Sequence, residues 1–161
     1  MFKLNRITEY GLIALRHISR KNAVDPQGIT SAREIADFYG LPFEITAKTL
    51  QRLKETGLIQ SAHGAKGGYT LLRSLQQVSL AEFLELMEGP QSVVACAGLT
   101  HSTDSCEYGT RCEIKDVMGR LNSKVLGFLA GIPWAELAQS PASILNKSTL
   151  VKSTLGKEGI K

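Results

Sequence analysis

The tripeptide Gly40-Leu41-Pro42 limits the fold of this chain more than any other feature. It interrupts a helical apolar pattern after a run of about eight residues and before one of about fourteen. Upstream, Thr30-Ser31-Ala32-Arg33-Glu34 reads as a capping box. In such a box Ser31 accepts from the Glu34 amide and the Glu34 carboxylate reaches back to the Ser31 amide. The helix it opens is expected to run to Tyr39. Gly40 suits the end of that helix and Pro42 the first turn of the next, which is expected over residues 43–56 until Gly57 ends it. This is a helix-turn-helix by length alone, and many all-helical proteins contain such pairs.

The next segment narrows the choice. Leu58-Ile59-Gln60-Ser61 and Tyr69-Thr70-Leu71-Leu72 read as two short strands around the basic turn Gly64-Ala65-Lys66-Gly67-Gly68, with His63 and Arg73 beside it. A first helix is expected over residues 6–19, capped by Asn5, with Ile7, Tyr10, Ala14, Leu15 and Ile18 at helical spacing. Three helices followed by a hairpin is the order of a winged helix-turn-helix. On a wheel of about 100° per residue, residues 44–55 place Ile45, Thr46, Thr49, Leu50 and Leu53 on one side. Glu44, Ala47, Lys48, Gln51 and Glu55 fall on the other. Lys48 and Gln51 can donate to base edges or phosphates, and Glu44 can accept from a cytosine amino group. Alone, such a helix would present only a solvated polar face; the adjoining wing favours DNA. Arg52, His63, Lys66 and Arg73 complete the candidate DNA-binding set.

The charge distribution agrees. Residues 1–75 hold eleven Lys and Arg against six Asp and Glu, whereas residues 76–161 are close to neutral. A surplus of this size tilts the reading toward a polyanion without deciding it. No stretch approaches the roughly 18 apolar residues that cross a bilayer, and the first residues lack the layout of a signal peptide, so no membrane role and a cytoplasmic location are expected. There is no phosphate loop, nucleotide fingerprint or His-Glu-x-x-His motif, and Cys96 with His101 lacks a third orienting group, so no enzyme is expected.

Beyond residue 75, Val78-Ser79-Leu80-Ala81-Glu82-Phe83 is a second capping box, with Val78 and Phe83 as its hydrophobic staple, opening a helix that Gly89-Pro90 stops. A longer helix over residues 113–132 carries Ile114, Met118, Leu121, Val125, Phe128 and Ile132 at spacings of four and three. That is the seam of a helix lying along another helix, and a DNA reader usually needs a two-fold partner, so a homodimer is expected. Trp134-Ala135-Glu136-Leu137 suggests a short closing helix, and the polar stretch 139–161 a loosely ordered tail. The fold class is therefore mainly α with a small β-hairpin wing: a winged helix-turn-helix over residues 1–75, then a cysteine loop and a long dimerisation helix over residues 76–138.

All three cysteines, Cys96, Cys106 and Cys112, lie within seventeen residues of one Gly/Ser/Thr-rich loop, spaced C-x9-C-x5-C. Clustered thiols in a reducing compartment point to metal or redox chemistry. Three soft thiolates suit iron-sulfur or zinc, with a fourth ligand drawn from His101, Asp104, Glu107 or Glu113. The absence of a tight C-x2-4-C pair disfavours structural zinc. Spacing alone leaves a cluster, zinc with His101, and simple redox thiols open.

Together these residues resemble a bacterial family, the Rrf-two winged-helix regulators of the IscR and NsrR type. The matching pieces are Thr8-Glu9-Tyr10-Gly11-Leu12, Arg33-Glu34-Ile35-Ala36, the run from Leu50 through Ile59, and the wing from Gly64 to Leu71. The resemblance spans about residues 1–138. The wing stretch, with Leu86-Met87-Glu88-Gly89-Pro90, looks closest to the branch regulating the SUF iron-sulfur assembly operon. It implies a homodimer whose long helices cross and whose wings straddle a palindromic operator in double-stranded DNA. It also implies a 2Fe-2S or 4Fe-4S cluster in the loop before the long helix, sensing iron-sulfur supply, nitric oxide or redox state, most often in a repressor. The chain departs from the family in two places. The gap from Cys96 to Cys106 is longer than is common, and Lys115 stands where the IscR branch has a histidine ligand. In the NsrR branch a first-helix carboxylate reaches the partner subunit's cluster, and Glu9 occupies that position here, with His101 its rival. The alternatives are a regulator of the same architecture using thiol oxidation or zinc without a cluster, and a protein-interaction module that does not bind DNA.

Overall fold

The structure, a computed structural model, describes residues 3–62, 67–94 and 111–138. The elements in order are α1 (Arg6–Val24), α2 (Ala32–Tyr39), α3 (Phe43–Glu55), β1 (Ile59–Ala62) and β2 (Gly68–Leu71). A single 3-10 turn (Leu75–Gln77) then leads to α4 (Leu80–Glu88), α5 (Lys115–Ala130) and α6 (Trp134–Ala138).

The predicted starts of α1, α2 and α4 are set by their caps. The Asn5 side chain accepts from the Thr8 amide at 2.8 Å, Ser31 from the Glu34 amide at 3.1 Å and Ser79 from the Glu82 amide at 3.2 Å. The return half of both capping boxes is replaced. The Glu34 carboxylate takes Lys21 at 2.8 Å and His17 at 3.1 Å, and Glu82 takes Arg73 at 2.6 Å. A cation outcompetes a neutral amide for a carboxylate. The first helix also runs five residues past the expected end, to Val24. Tertiary partners hold those extra turns: Lys21 donates to the Ile29 carbonyl, and Asn22 bridges the Gly28 carbonyl and the Leu71 amide.

The core forms where α1, α2, α3 and α4 meet. Leu15, Ile18, Ile35, Leu50, Leu53, Leu58, Ile59, Val78, Phe83 and Leu84 are all buried, and Leu129 and Trp134 extend the cluster toward the C-terminal helices. Each such side chain contributes roughly 1.5–3 kcal/mol of transfer free energy. Thr46 and Thr49 are buried as well; their hydroxyls donate back to the carbonyls of Pro42 and Ile45, so they enter the core without an unsatisfied group.

Two glycines set the geometry of the helix-turn-helix and the hairpin. Gly40 sits at φ 64°, the left-handed conformation that ends α2 and turns the chain into α3. Gly68 opens β2 where a Cβ would lie 2.6 Å from the Thr30 carbonyl oxygen. That close approach lets Thr30 and Tyr69 exchange two backbone hydrogen bonds of 2.8 and 2.9 Å, which fasten the hairpin to the segment before α2. Within the hairpin Ile59 pairs with Leu71 and Ser61 with Tyr69, antiparallel.

On the far side α5 packs on α4, and the chain returns so that Leu80 donates to the Ile132 carbonyl and Trp134 to that of Val78, both at 2.8 Å. The buried Asn122 side chain accepts from the Val93 amide at 2.8 Å and holds the segment after α4 against α5. Among the described residues no helix is long and apolar enough to cross a membrane.

Candidate nucleic-acid interface

The exposed surface of α3 is polar along one stripe. Glu44, Lys48, Gln51 and Glu55 stand in solvent, while Thr46, Thr49, Leu50 and Leu53 are buried against α1 and α2. Ile45 departs from the wheel: it is 38% exposed rather than in the core. It lies at the border of the two faces in the first turn, where the chain leaving the Gly40 turn has not yet been covered. Pro42 caps α3 without any side-chain hydrogen bond, and residues 42–45 at this helix end are all exposed. Such an end carries partial positive charge and suits phosphate.

Two cations expected to face DNA are engaged within the chain. Arg52 donates to the carbonyls of Leu86 and Met87 and lies 3.4 Å from Glu55, and Arg73 pairs with Glu82. Both therefore fasten elements to α4, a role that only long-range contacts reveal. A cation the sequence reading passed over is better placed. Arg33, in the first turn of α2, lies with its guanidinium 4.2 Å from the centre of the Phe43 ring, beside the start of α3. Its signal in the sequence was the pairing of a basic residue with an aromatic across the turn, a contact stable at exposed sites. His63 and Lys66, the expected wing-tip residues, lie outside the described residues.

The junction of α1 and α2 is held by charge. Lys21 Nζ contacts both Glu34 oxygens at 2.8 Å, and the His17 ring lies edge-on to Phe38 and Tyr39. Burial pushes the Glu34 carboxyl up, but hydrogen bonds from Lys21 and His17 and their positive charge outweigh it and hold the group below the usual carboxylate range.

Of the residues expected at a metal centre, Cys96, Cys106 and His101 lie outside the described residues, as does the tail 139–161. Cys112 is a free, half-buried thiol three residues before α5. Glu9 is exposed in the first turn of α1. Among the described residues no three of His, Cys, Asp and Glu converge on one point.

The expected seam of α5 divides. Ile114, just before the helix, and Leu121 and Phe128 on it are exposed, Phe128 at 70%, and Val117, left out of the sequence reading, joins them. Met118, Val125 and Ile132 are half-buried, with Val125 packed against the core.

A helix-turn-helix with an exposed polar stripe on its second helix and a hairpin docked beside it defines the winged-helix class of DNA-binding proteins. Residues 4–140 match the family model Rrf2, described as iron-dependent transcriptional regulator, and the chain belongs to that family. Its relatives are transcriptional regulators, not enzymes. It is 33% identical to the HTH-type transcriptional repressor NsrR of Streptomyces coelicolor, over 84% of this chain and 90% of that protein. It is 24% identical to the HTH-type transcriptional regulator IscR of Photorhabdus laumondii, over 84% and 80%. Among solved structures, the global cysteine regulator CymR of B. subtilis superposes with a TM-score of 0.64 at 25% identity, covering 86% of this chain and 97% of that one.

Proposed function

We propose that this transcriptional regulator acts as a homodimeric repressor that places α3 in the major groove of a palindromic operator. The exposed stripe of Glu44, Lys48 and Gln51, on a helix whose opposite face is wholly committed to the core, carries this reading. Lys48 and Gln51 would read base edges, with Glu44 accepting from cytosine. Arg33 over Phe43, with Lys66 and His63 of the wing, would hold the flanking phosphates. The uncovered α5 residues Leu121 and Phe128 would supply the contact between subunits, since large apolar groups aligned on one helix face gain most from a second copy.

The signal-sensing part rests on the thiols. Cys96, Cys106 and Cys112 would hold an iron-sulfur cluster, with Glu9 contributed across the dimer as the fourth ligand and His101 as its rival. The donor chemistry supports this: Cys112 is a free, half-buried thiol, and Glu9 presents an exposed carboxylate on a helix that packs against α3 and α4. The iron-dependent description of the family and the likeness to NsrR and IscR support the same assignment. A bound cluster supplies iron open to oxidation and to attack by small ligands. A carboxylate holds such iron less firmly than a thiolate, so Glu9 is the ligand most readily released.

Binding of the full chain to a duplex selected from a random-sequence pool tests the DNA reading. Lys48→Ala should weaken binding about tenfold or more and relax sequence preference, while Lys66→Ala weakens all duplexes alike and lowers the salt slope by about one. Equal binding by wild type and both variants at moderate salt would remove the reading.

A further inference from the structure

We propose that Ile45 reads the C5-methyl group of a thymine, an assignment that rests on α3 being the major-groove helix. Ile45 stands in the first turn of α3, 38% exposed, at the edge of the stripe formed by Glu44, Lys48 and Gln51. Lys48 is its neighbour three residues on, about 60° round the helix and about 4.5 Å along it. On the side nearest Lys48, Ile45 therefore borders whatever surface the stripe meets.

That surface offers few partners to a side chain without donor or acceptor. The major groove presents hydrogen-bonding groups at every base pair and a single apolar one, the thymine methyl. Ile45 has no evident structural reason to be isoleucine. It lies outside the core cluster, and a β-branched residue in an exposed first turn is a weaker helix former than the Glu, Lys and Gln at most of the other exposed positions of α3. Phe43, the other exposed apolar residue of this turn, already lies against the Arg33 guanidinium, so Ile45 is the apolar side chain left to meet the groove. A methyl-reading residue beside Lys48 and Gln51 would give the helix both a polar and an apolar test of sequence. An analogue with cytosine in place of thymine would fail the second test even where Lys48 adapts.

Deoxyuridine provides the probe, because it removes only the methyl and keeps the base pair and every polar edge. A duplex enriched by the full wild-type chain from a random pool is resynthesised with each thymine replaced singly by deoxyuridine. At one position in each half-site the replacement should weaken wild-type binding about fourfold, the effect of one buried methyl. Ile45→Ala should bind the thymine and deoxyuridine duplexes equally, and Ile45→Val should keep part of the difference. Lys48→Ala should lose affinity yet retain the deoxyuridine penalty. A wild type indifferent to deoxyuridine at every position, or a penalty undiminished in Ile45→Ala, overturns the assignment while leaving DNA binding in place. Failure to enrich any duplex removes both together.

Discussion

The guanidinium of Arg52 on α3 donates to the main-chain carbonyl of Leu86, 3.1 Å away in the last turn of α4. The Glu88 carboxylate, two residues on, accepts from the Asn5 amide at 3.0 Å, just before α1. The helix bearing Lys48 and the helix bearing Glu9 thus both hold the end of α4, from which the chain runs on in sequence to Cys96. If a shift at the thiols moved this turn, both helices would feel it through these two hydrogen bonds.

Removing the Arg52 contact should therefore destabilise the fold. Arg52→Ala is expected to cost about 1 kcal/mol, below the usual range for a charged hydrogen bond because the side chain is 43% exposed. Urea unfolding would show this as a lower midpoint at unchanged slope; an unmoved midpoint would mean that the carbonyl contacts contribute nothing.

The Glu34 cluster predicts a dependence on acid. Because the folded carboxyl lies below its ordinary value of about 4.3, its contribution is complete above that pH and is lost as pH falls through the lower folded value. The pair is about a third exposed, so the loss is under about 1 kcal/mol. Thermal unfolding of Glu34→Gln should start from a lower midpoint at pH 7 and approach wild type as pH falls below about 4.3. Parallel curves across that range would show that the ion pair is not felt.

What could be read from the sequence was local. Asn5, Ser31 and Ser79 each bond the amide three residues on, because a cap depends only on its own turn. The order of helices and hairpin followed from apolar period and from Gly40, whose positive φ needs no tertiary partner. The rest depended on contacts far apart in sequence. Glu34 and Glu82 abandoned their boxes for Lys21 and Arg73, thirteen and nine residues away. Arg52 found carbonyls thirty-four residues on, and no periodicity anticipates that. Ile45 was misplaced because a wheel assigns faces by angle, whereas burial in a first turn depends on what covers the helix end.

The exposed face of α5 predicts a dimer. Leu121→Asp would place an unpaired charge in the contact and should give monomers in sedimentation velocity where wild type gives dimers. A monomeric, folded wild type would reduce the face to surface.

The thiols predict loss of iron. Purified without oxygen, wild type should be coloured and Cys96→Ala, Cys106→Ala and Cys112→Ala bleached, with the helical signal retained because the core lies in α1 to α4. Glu9→Gln should alter the visible spectrum while keeping iron. A colourless wild type holding zinc or no metal points to thiol or zinc chemistry instead, and an altered spectrum in His101→Ala alone would give the fourth position to His101.

The claim that α3 reads sequence is met most directly by fluorescence anisotropy of the full wild-type chain with its selected duplex and with a shuffled duplex of the same composition. At physiological salt the selected duplex should bind about a thousandfold or more tightly. The preference should shrink in Lys48→Ala. Equal affinity for the two duplexes would contradict a reading helix and leave only the attraction of a basic surface for phosphate.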